Sequence, residues 1–242
     1  MKQRLDQTLV AQGLVSTRSQ AESYIRLGKV TVNKKIATKP GTLVSADDVI
    51  KFTATEQYVS RAGLKLASVA KTLGLDFRGK VVLDVGSSTG GFTDYALQHG
   101  AQKVIAVEVG TNQLHPSLHG HPQIELHEKT DIRDFARGPS SSKVDIVVVD
   151  VSFVSLRDIL PSVAKLSGPN TQIVAMVKPQ FEAGESNLKH KGVVKNDAMR
   201  RKILQDFEHW VRNMFVAIEK SDSDVAGAKG NRERFYLLQT LQ

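Results

Sequence analysis

The chain has 242 residues, of which 40% are hydrophobic and 24% charged, a balance typical of a globular protein with a sizeable core. It contains no cysteine, which excludes disulfide frameworks and thiolate zinc sites. The net charge of +8 favours a polyanionic partner, although a basic excess can also be ordinary solubilising charge.

The segment 1–54 begins with a pattern for two short helices. Apolar residues recur at helical spacing in 4–15, and Gly13 fits the end of that helix. Ser16 or Ser19 is the expected N-cap of a second helix, which reaches Gly28. Alternating strands and short turns then run to residue 52, so the segment predicts a small α-α-β unit.

This unit is unusually basic, with nine Lys and Arg against four Asp and Glu. Its order of elements, with the pattern RxxAxxxIRxGxVxVN from Arg18 to Asn33, resembles the RNA-binding domain named after the fourth protein of the small ribosomal subunit. Such a domain docks on RNA through phosphates and shape rather than base sequence. The alternative is a small scaffolding domain. The resemblance implies an RNA-binding face made of Arg4, Arg18, Arg26, Lys29, Lys34 and Lys35.

A polar link at 55–58 separates this domain from a second one at 59–242. The second domain begins with an expected helix whose N-cap is Ser60. Lys65 stands among apolar positions of this helix, where a lysine is ordinarily a solvated surface residue.

The centre of the chain is the stretch 79–94, GKVVLDVGSSTGGFTD. An apolar strand ends at Asp84, a glycine-rich turn follows, and a helix begins near Phe92. A phosphate-binding loop would place Lys and then Ser or Thr after its last glycine, whereas Phe92 and Thr93 stand here. The loop therefore indicates a nucleoside ligand without a phosphate at this point.

A second buried strand, 104–109, places Glu108 where a carboxylate can accept both hydroxyls of a ribose. Asp131 follows the third strand, either as an acceptor for an adenine amino group or as the N-cap of the next helix. Together these features predict S-adenosylmethionine, the alternative being a dinucleotide dehydrogenase with a degenerate fingerprint. The predicted cofactor residues are Asp84, Gly86, Ser87, Ser88, Gly90, Gly91, Phe92, Glu108 and Asp131.

Four histidines cluster in or near one loop, but no metal site is expected there. Spacings of four and two residues could supply imidazoles to a metal, yet Pro116, Gly120 and Pro122 break any regular element and no acidic partners are evident. The histidines are His115, His119, His121 and His127.

After the central loop, strands and helices alternate to the end of the chain. Apolar strands are expected at 144–151 and 172–178, and a long amphipathic helix at 198–214. The predicted fold is α/β, a Rossmann-like, doubly wound and mostly parallel sheet with an antiparallel final strand. The glycine- and charge-rich segment 181–195 is interpreted as a mobile lid or a disordered loop.

Asp150, Lys178 and Glu233 stand at the ends of three predicted strands, and with Lys65 they form the set Lys-Asp-Lys-Glu. That set resembles the catalytic tetrad of the FtsJ-like ribose 2′-O-methyltransferases. With the amino-terminal domain and the motifs DVGSSTGGFTD, EVGTNQL, VVDVSF and VKPQFEAG, the chain resembles the TlyA family, which contains ribosomal-RNA 2′-O-methyltransferases often labelled hemolysins. The sequence departs from the family where Arg234 separates Glu233 from the aromatic residue.

The resemblance implies transfer of a methyl group to a ribose hydroxyl of ribosomal RNA or ribosomal subunits, without a metal. Lys178 is the expected group to take or polarise the proton, with Lys65 favouring its neutral form and the two carboxylates orienting the amines. A purely structural ion network at the edge of the sheet is the alternative.

Two other classes of function compete with methyl transfer. One is a membrane-lytic protein, and the other is a non-catalytic RNA-binding factor with a vestigial cofactor pocket. The first ten residues lack the apolar core of a signal peptide, and no run reaches the roughly 20 apolar residues that span a bilayer. We therefore expect a cytoplasmic protein without a membrane partner, and the sequence predicts no oligomeric state.

Overall fold

The computed structural model describes residues 2–55, 57–138, 143–183, 192–194, 196–227 and 230–241. The predicted lid, 181–195, therefore lies mostly outside the described residues, apart from its first three positions and 192–194.

The amino-terminal unit contains two helices and short strands, as expected. In chain order these are β1 (Gln3–Arg4), α1 (Leu5–Ala11), α2 (Arg18–Arg26), β2 (Val30–Val32), β3 (Lys35–Ile36), β4 (Leu43–Val44) and β5 (Ile50–Phe52). β2 pairs with both β3 and β5 in an antiparallel sheet, and β1 pairs with β4. Asn33 and Lys34 both have positive φ, which closes the tight β2–β3 hairpin.

The predicted N-cap of α2 was wrong. Neither Ser16 nor Ser19 caps the helix, because Thr17 forms a reciprocal capping box with Gln20. Thr17 accepts a hydrogen bond from the Gln20 backbone N–H, and the Gln20 side chain accepts one from the Thr17 N–H. Ser19 lies in the first turn of the helix instead, where its carbonyl accepts from the Ser23 hydroxyl.

The second unit is a seven-stranded sheet with helices on both faces. Its elements are α3 (Arg61–Ala70), β6 (Val81–Val85), α4 (Gly91–Gln98), β7 (Lys103–Val107), β8 (Ile124–His127), α5 (Ile132–Phe135), β9 (Ile146–Val149), α6 (Leu156–Leu166), β10 (Gln172–Val177), α7 (Pro179–Glu182), α8 (Asp197–Val211), β11 (Phe215–Asp222) and β12 (Arg234–Thr240). The strand order is β11-β12-β10-β9-β6-β7-β8.

The sheet is parallel except at β12, which confirms the expected mostly parallel sheet with an antiparallel final strand. β12 pairs antiparallel with β10 on one side and with β11 on the other, so the last strand of the chain is not at the edge of the sheet. Strands β8, β7, β6, β9 and β10 are joined by parallel pairs.

Alternate residues of the central strands enter two separate hydrophobic cores. Ile146 and Val148 of β9 pack on the face covered by α3 and α4, whereas Val147 and Val149 pack on the face covered by α6 and α8. Strands that are buried on both faces need continuous apolar runs, which explains the sequence of β9.

The amino-terminal unit shares its core with the α3–α4 face of the sheet. Leu5, Leu9 and Ile25 belong to the same buried cluster as Leu66 and Phe92. Tyr58, which the sequence places in a polar link, is only 4% exposed, and its ring centroid lies 5.3 Å from that of Tyr95. Tyr58 is therefore packed against the sheet unit.

Hydrogen bonds from both units hold the backbone at Tyr58 and Val59. The Gln20 side chain donates to the Tyr58 carbonyl at 2.7 Å, and the Val59 N–H donates to Asp94 Oδ2 at 2.7 Å. Since Gln20 belongs to α2 and Asp94 to α4, the backbone between the two units is held by residues of each.

Candidate active site

The carboxyl ends of the parallel strands bring most of the predicted site residues to one edge of the sheet. Glu108 directly follows β7, Asp150 follows β9 and Lys178 follows β10. Glu233 directly precedes the antiparallel β12. Because Val177 pairs with Arg234, the next pair along the two strands is Lys178 and Glu233, which therefore lie side by side. This is the edge where open α/β sheets bind their ligands.

The four residues of the predicted tetrad form two ion pairs, in which Lys65, Lys178 and Glu233 are buried and Asp150 is partly exposed. Lys65 Nζ lies 2.5 Å from Glu233 Oε2, and Lys178 Nζ lies 2.6 Å from Asp150 Oδ1. Lys178 also donates to the hydroxyl of Ser152 at 2.7 Å. No ion pair joins one couple to the other among these four described side chains.

Lys65 is buried, so the ordinary interpretation of a solvated helix lysine was wrong. Only 7% of the residue is exposed, because α3 packs its central turn against the sheet and directs this amine at Glu233. A buried ammonium requires a partner, and Glu233, 2% exposed, supplies it. Arg234 does not disturb this pair, since its guanidinium bonds to Asp222 at 2.6 Å.

Asp84 is the most deeply buried acid at this edge. Its residue is 1% exposed, and β6 continues one residue beyond it to Val85. The Thr93 hydroxyl donates to Asp84 Oδ2 at 2.6 Å, whereas Oδ1 is buried without a hydrogen-bond partner. Desolvation raises the pKa of Asp84 to about 7, and the nearby negative charges of Asp150 and Glu108 act in the same direction.

Glu108 is held by backbone donors on both sides. Its Oε1 accepts from the Gly110 N–H at 2.7 Å, and its Oε2 accepts from the Ser88 N–H at 2.9 Å. Each carboxylate oxygen has a second lone pair, so the fixed carboxylate can still accept from a ligand hydroxyl.

Asp131 is the N-cap of α5. Its Oδ1 accepts from the Arg133 backbone N–H at 2.8 Å, and the Arg133 side chain bonds to both oxygens. The guanidinium of Arg133 lowers the pKa of this carboxyl. The geometry thus shows the capping role, one of the two alternatives for this residue.

A cavity of about 510 Å³ opens at this edge and joins several of the predicted residues. Gly86, Ser88, Glu108, Asp131 and Asp150 line it, and a larger groove of about 1040 Å³ lies elsewhere, at the amino ends of the strands. We locate the site in the smaller cavity, because the larger groove contains none of the predicted site residues.

The polar groups around this cavity fit a nucleoside ligand. Asp84 and Ser87 are chain neighbours of the lining residues Val85, Gly86 and Ser88, and their atoms Asp84 Oδ1 and Ser87 Oγ are buried without hydrogen-bond partners. The loop 84–94 contains no Lys or Arg that would neutralise a phosphate. Carboxylates at Glu108 and Asp131 supply acceptors for hydroxyl and amino groups. The donor set therefore suits S-adenosylmethionine.

Besides Asp84 and Ser87, three predicted cofactor residues, Gly90, Gly91 and Phe92, are not among those that line the cavity. Phe92 is buried in the core with its ring 6.0 Å from that of Phe235, and Gly91 packs against Ser60 and Ala62 of the α3 end. Gly90 has φ +84, and a Cβ there would lie 2.7 Å from the Leu114 side chain. These residues shape the loop and the α3–α4 contact rather than lining the cavity.

Sequence reasoning missed Phe153. This residue lines the cavity, is 93% exposed and has φ +66, a conformation that is strained for a bulky side chain. Its ring lies 5.3 Å from that of Phe181. The only signal in the sequence is its position three residues after Asp150, in VVDVSF.

The six predicted RNA-binding residues of the amino-terminal unit fall into two groups. Arg4 and Arg18 both bond to Asp6, a fully buried acid that the sequence analysis did not single out. Burial alone would raise the pKa of Asp6, but these two guanidinium groups outweigh it and the pKa is lowered. Exposed cations outside that cluster occupy the end of α2 and the β2–β3 hairpin, namely Arg26, Lys29, Lys34 and Lys35.

The histidines make contacts of other kinds. His119 Nε2 lies 2.8 Å from the Leu114 carbonyl, and His127 Nε2 lies 2.6 Å from Glu125 Oε1. Within the part of the chain that the structure describes, no group of three His, Asp or Glu side chains is placed to hold a metal ion. The same residues contain no helix of the length and apolar character needed to cross a membrane.

Comparison with known families divides the chain into two matches. Residues 58–240 match the FtsJ-like methyltransferase family, and residues 3–50 match the S4 domain.

Several curated proteins are similar over nearly the whole chain. The 16S/23S rRNA (cytidine-2′-O)-methyltransferase TlyA of Mycobacterium tuberculosis is 35% identical over 240 residues, covering 98% of this chain and 90% of that protein. Hemolysin A of Brachyspira hyodysenteriae is 35% identical, covering 95% and 97%. A solved structure provisionally named a hemolysin, from Streptococcus thermophilus, has a TM-score of 0.71 and 35% identity, covering 100% of this chain and 89% of that one.

Proposed function

The chain belongs to the FtsJ-like methyltransferase family, and on that premise we propose that it transfers the methyl group of S-adenosylmethionine to a ribose 2′-hydroxyl of ribosomal RNA. The observation that carries the proposal is the presence of two lysine–carboxylate ion pairs, one of which places Asp150 in the lining of a cavity suited to a nucleoside. The similarity to rRNA (cytidine-2′-O)-methyltransferases over almost the full chain supports the substrate class.

The cofactor is proposed to occupy the 510 Å³ cavity. Glu108 would accept hydrogen bonds from the ribose hydroxyls, and Asp131 would face the adenine. The buried oxygens Asp84 Oδ1 and Ser87 Oγ would form hydrogen bonds with the ligand. S-adenosylmethionine, when bound, supplies a methyl carbon attached to a positively charged sulfur.

Lys178 is proposed to handle the proton of the target hydroxyl. Its ammonium has three N–H donors, of which Asp150 and Ser152 engage two and leave one for the 2′-oxygen. Passing a proton to Asp150 would leave a neutral amine, which would accept the hydroxyl proton while the 2′-oxygen bonds to the methyl carbon and the carbon–sulfur bond breaks with release of a neutral thioether. Because a developing alkoxide meets a departing cationic centre, charge is cancelled, and much of the rate gain comes from alignment.

The second couple is proposed to fix the geometry of the first. Lys65 and Glu233 neutralise each other, so neither leaves an unpaired charge beside the reacting groups. Glu233 is further enclosed by Gly227, since a Cβ at that glycine would lie 2.8 Å from Glu233 Oε1.

The substrate strand is proposed to dock on the exposed cations of the S4 domain. Arg26, Lys29, Lys34 and Lys35 would contact phosphates, with Arg4 and Arg18 at the same domain. The exposed ring of Phe153 at the mouth of the cavity offers a surface on which a nucleobase can stack.

The test is transfer of labelled methyl from S-adenosylmethionine to purified ribosomal subunits, followed by nuclease digestion and nucleoside analysis. We expect a 2′-O-methylated nucleoside from the wild type and a loss of roughly 100-fold or more in rate for Lys178→Ala, in the range of lost acid–base catalysis. Lys165→Ala, which removes an exposed lysine from the end of α6, is the matched control and should keep full activity.

The outcomes separate the competing functions. Cofactor binding and RNA binding without transfer by the wild type would support the non-catalytic RNA-binding factor. Unchanged transfer by Lys178→Ala would remove this lysine from the mechanism. Absence of any cofactor binding would overturn the assignment of the cavity.

A further inference from the structure

We propose that Glu182 is a positioning residue for methyl transfer, holding the loop that carries Lys178 against the loop that carries Asp150. The inference rests on the proposed function, because it concerns the same site. Glu182 is the last residue of α7, the short helix whose N-cap is Lys178.

The Glu182 carboxylate joins α7 to the start of α6. Its side chain is 1% exposed, its Oε2 accepts from the Ser155 hydroxyl at 2.7 Å, and its Oε1 accepts from the Leu156 N–H at 2.7 Å. Among the residues that the structure describes, the cation paired with this carboxylate is Arg157, whose Nε lies 3.8 Å from Oε2. A negative charge at this place is favourable, because the first N–H groups of a helix lack internal partners.

Lys178 makes a second connection between the same two segments. Lys178 bonds to Asp150 and Ser152. Glu182, four residues later in the chain, bonds to Ser155 and Leu156. The segments 150–156 and 178–182 are therefore joined at both ends, which forms a closed frame.

Phe153 lies within this frame in a left-handed conformation. Its φ of +66 is strained for a bulky residue and persists only where the surrounding structure enforces it. Phe181, from the opposite segment of the frame, packs 5.3 Å from its ring. A frame that fixes both the proton-handling lysine and this exposed ring controls how a nucleotide is presented.

A simple capping role does not account for Glu182. Helix α6 already has its own N-cap, because the Ser155 hydroxyl accepts from the Arg157 N–H at 3.1 Å. Burying a further carboxylate is costly, and desolvation raises the pKa of Glu182 despite its hydrogen bonds. What this side chain adds is the connection between the two segments.

The test compares Glu182→Gln with Glu208→Gln in the wild-type background. Glu208 is a matched control, since it accepts from Lys220 at 2.7 Å and from the Tyr236 hydroxyl at 2.8 Å, on α8 and outside the frame. We expect Glu182→Gln to lower kcat about tenfold while the affinity for S-adenosylmethionine stays within about twofold. Glu208→Gln should keep kcat, whatever its effect on melting temperature.

All rates are compared at one temperature well below the melting temperature of every variant, so that unfolding does not contribute. Ser155→Ala removes one of the two Glu182 contacts, and its loss in kcat should be smaller and not additive with that of Glu182→Gln. Equal kcat for Glu182→Gln and Glu208→Gln would overturn the positioning role.

Hydrogen exchange separates failure of this inference from failure of the proposed function. We expect faster amide exchange at 150–156 in Glu182→Gln than in Glu208→Gln. If the wild type transfers no methyl group, the proposed function fails. The amide hydrogen exchange at 150–156 still tests whether Glu182 holds the two segments together. Unchanged exchange at 150–156 would overturn the frame even in an active enzyme.

Discussion

At the scale of single residues, Asp84 shows how burial changes the chemistry of a side chain. With its pKa raised to about 7, the folded protein keeps a proton that the unfolded chain, where an aspartate titrates near 3.8, has already released. Between these two values the folded state binds more protons, so its stability falls as the pH rises. The stabilisation from this bound proton is fully present below the pKa of the aspartate in the unfolded chain. It is lost as the pH rises through the pKa of Asp84 in the folded protein.

We therefore expect Asp84→Asn to weaken the pH dependence of stability. The amide is neutral at every pH, so the variant should gain stability relative to the wild type as the pH rises from about 4 to 8, by on the order of 4 kcal/mol at most. The measurement is the free energy of unfolding in urea at about pH 5 and pH 8. Asp76→Asn is the control, because Arg78 holds the pKa of that exposed aspartate at about 2, below this window. Parallel pH profiles for Asp84→Asn and the wild type would contradict the assignment.

At the scale of elements, the contact between α3 and α4 depends on two glycines. A Cβ at Gly63 would lie 2.5 Å from the Tyr58 Cβ and 3.0 Å from the Gly91 carbonyl oxygen. This close approach brings the α3 helix of Lys65 against the start of α4, which directly follows the glycine-rich loop. The packing of the two helices thus connects the Lys65–Glu233 ion pair to the glycine-rich loop.

The variant Gly63→Ala tests whether packing outweighs helix propensity. Alanine favours a helix interior over glycine by about 1 kcal/mol, but overpacking here should cost about 1–3 kcal/mol, so a net destabilisation is expected. Gly168→Ala, where the nearest atom would be 3.8 Å away, should change stability by less than about 0.5 kcal/mol. Urea unfolding of both variants checks this, and a more stable Gly63→Ala would show that the helices move apart freely.

At the scale of the whole molecule, the S4 domain and the sheet unit share one hydrophobic cluster. Tyr58 lies at their junction, with its carbonyl bound by Gln20 and its ring packed near Tyr95. A shared core makes cooperative unfolding the expected behaviour, and it fixes the proposed RNA-binding face relative to the proposed catalytic edge.

We expect Tyr58→Ala to cost about 3 kcal/mol and to separate the unfolding of the two units. Calorimetry should show one transition for the wild type and two for the variant. Tyr58→Phe, which keeps the ring, should retain a single transition. A single transition in Tyr58→Ala would mean that other contacts hold the units together.

The sequence by itself determined the fold class and the family. Strands such as β9 and β10 are apolar throughout most of their length, and the glycine-rich turn after β6 has few structural interpretations, so local pattern was sufficient there. The four tetrad residues could be named from resemblance, because each stands at a recognisable place in the chain.

Only the tertiary structure decided how those residues are paired and which neighbours they have. Lys65 and Glu233 lie far apart in the chain, and their contact arises from the packing of α3 on the sheet and the insertion of β12 beside β10. The same holds for Glu182 and for buried Tyr58, which look like ordinary polar-segment residues in the sequence. Burial and side-chain pairing depend on long-range contacts, which leave no local periodicity in the sequence. For this reason the sequence could name candidate site residues but not their arrangement.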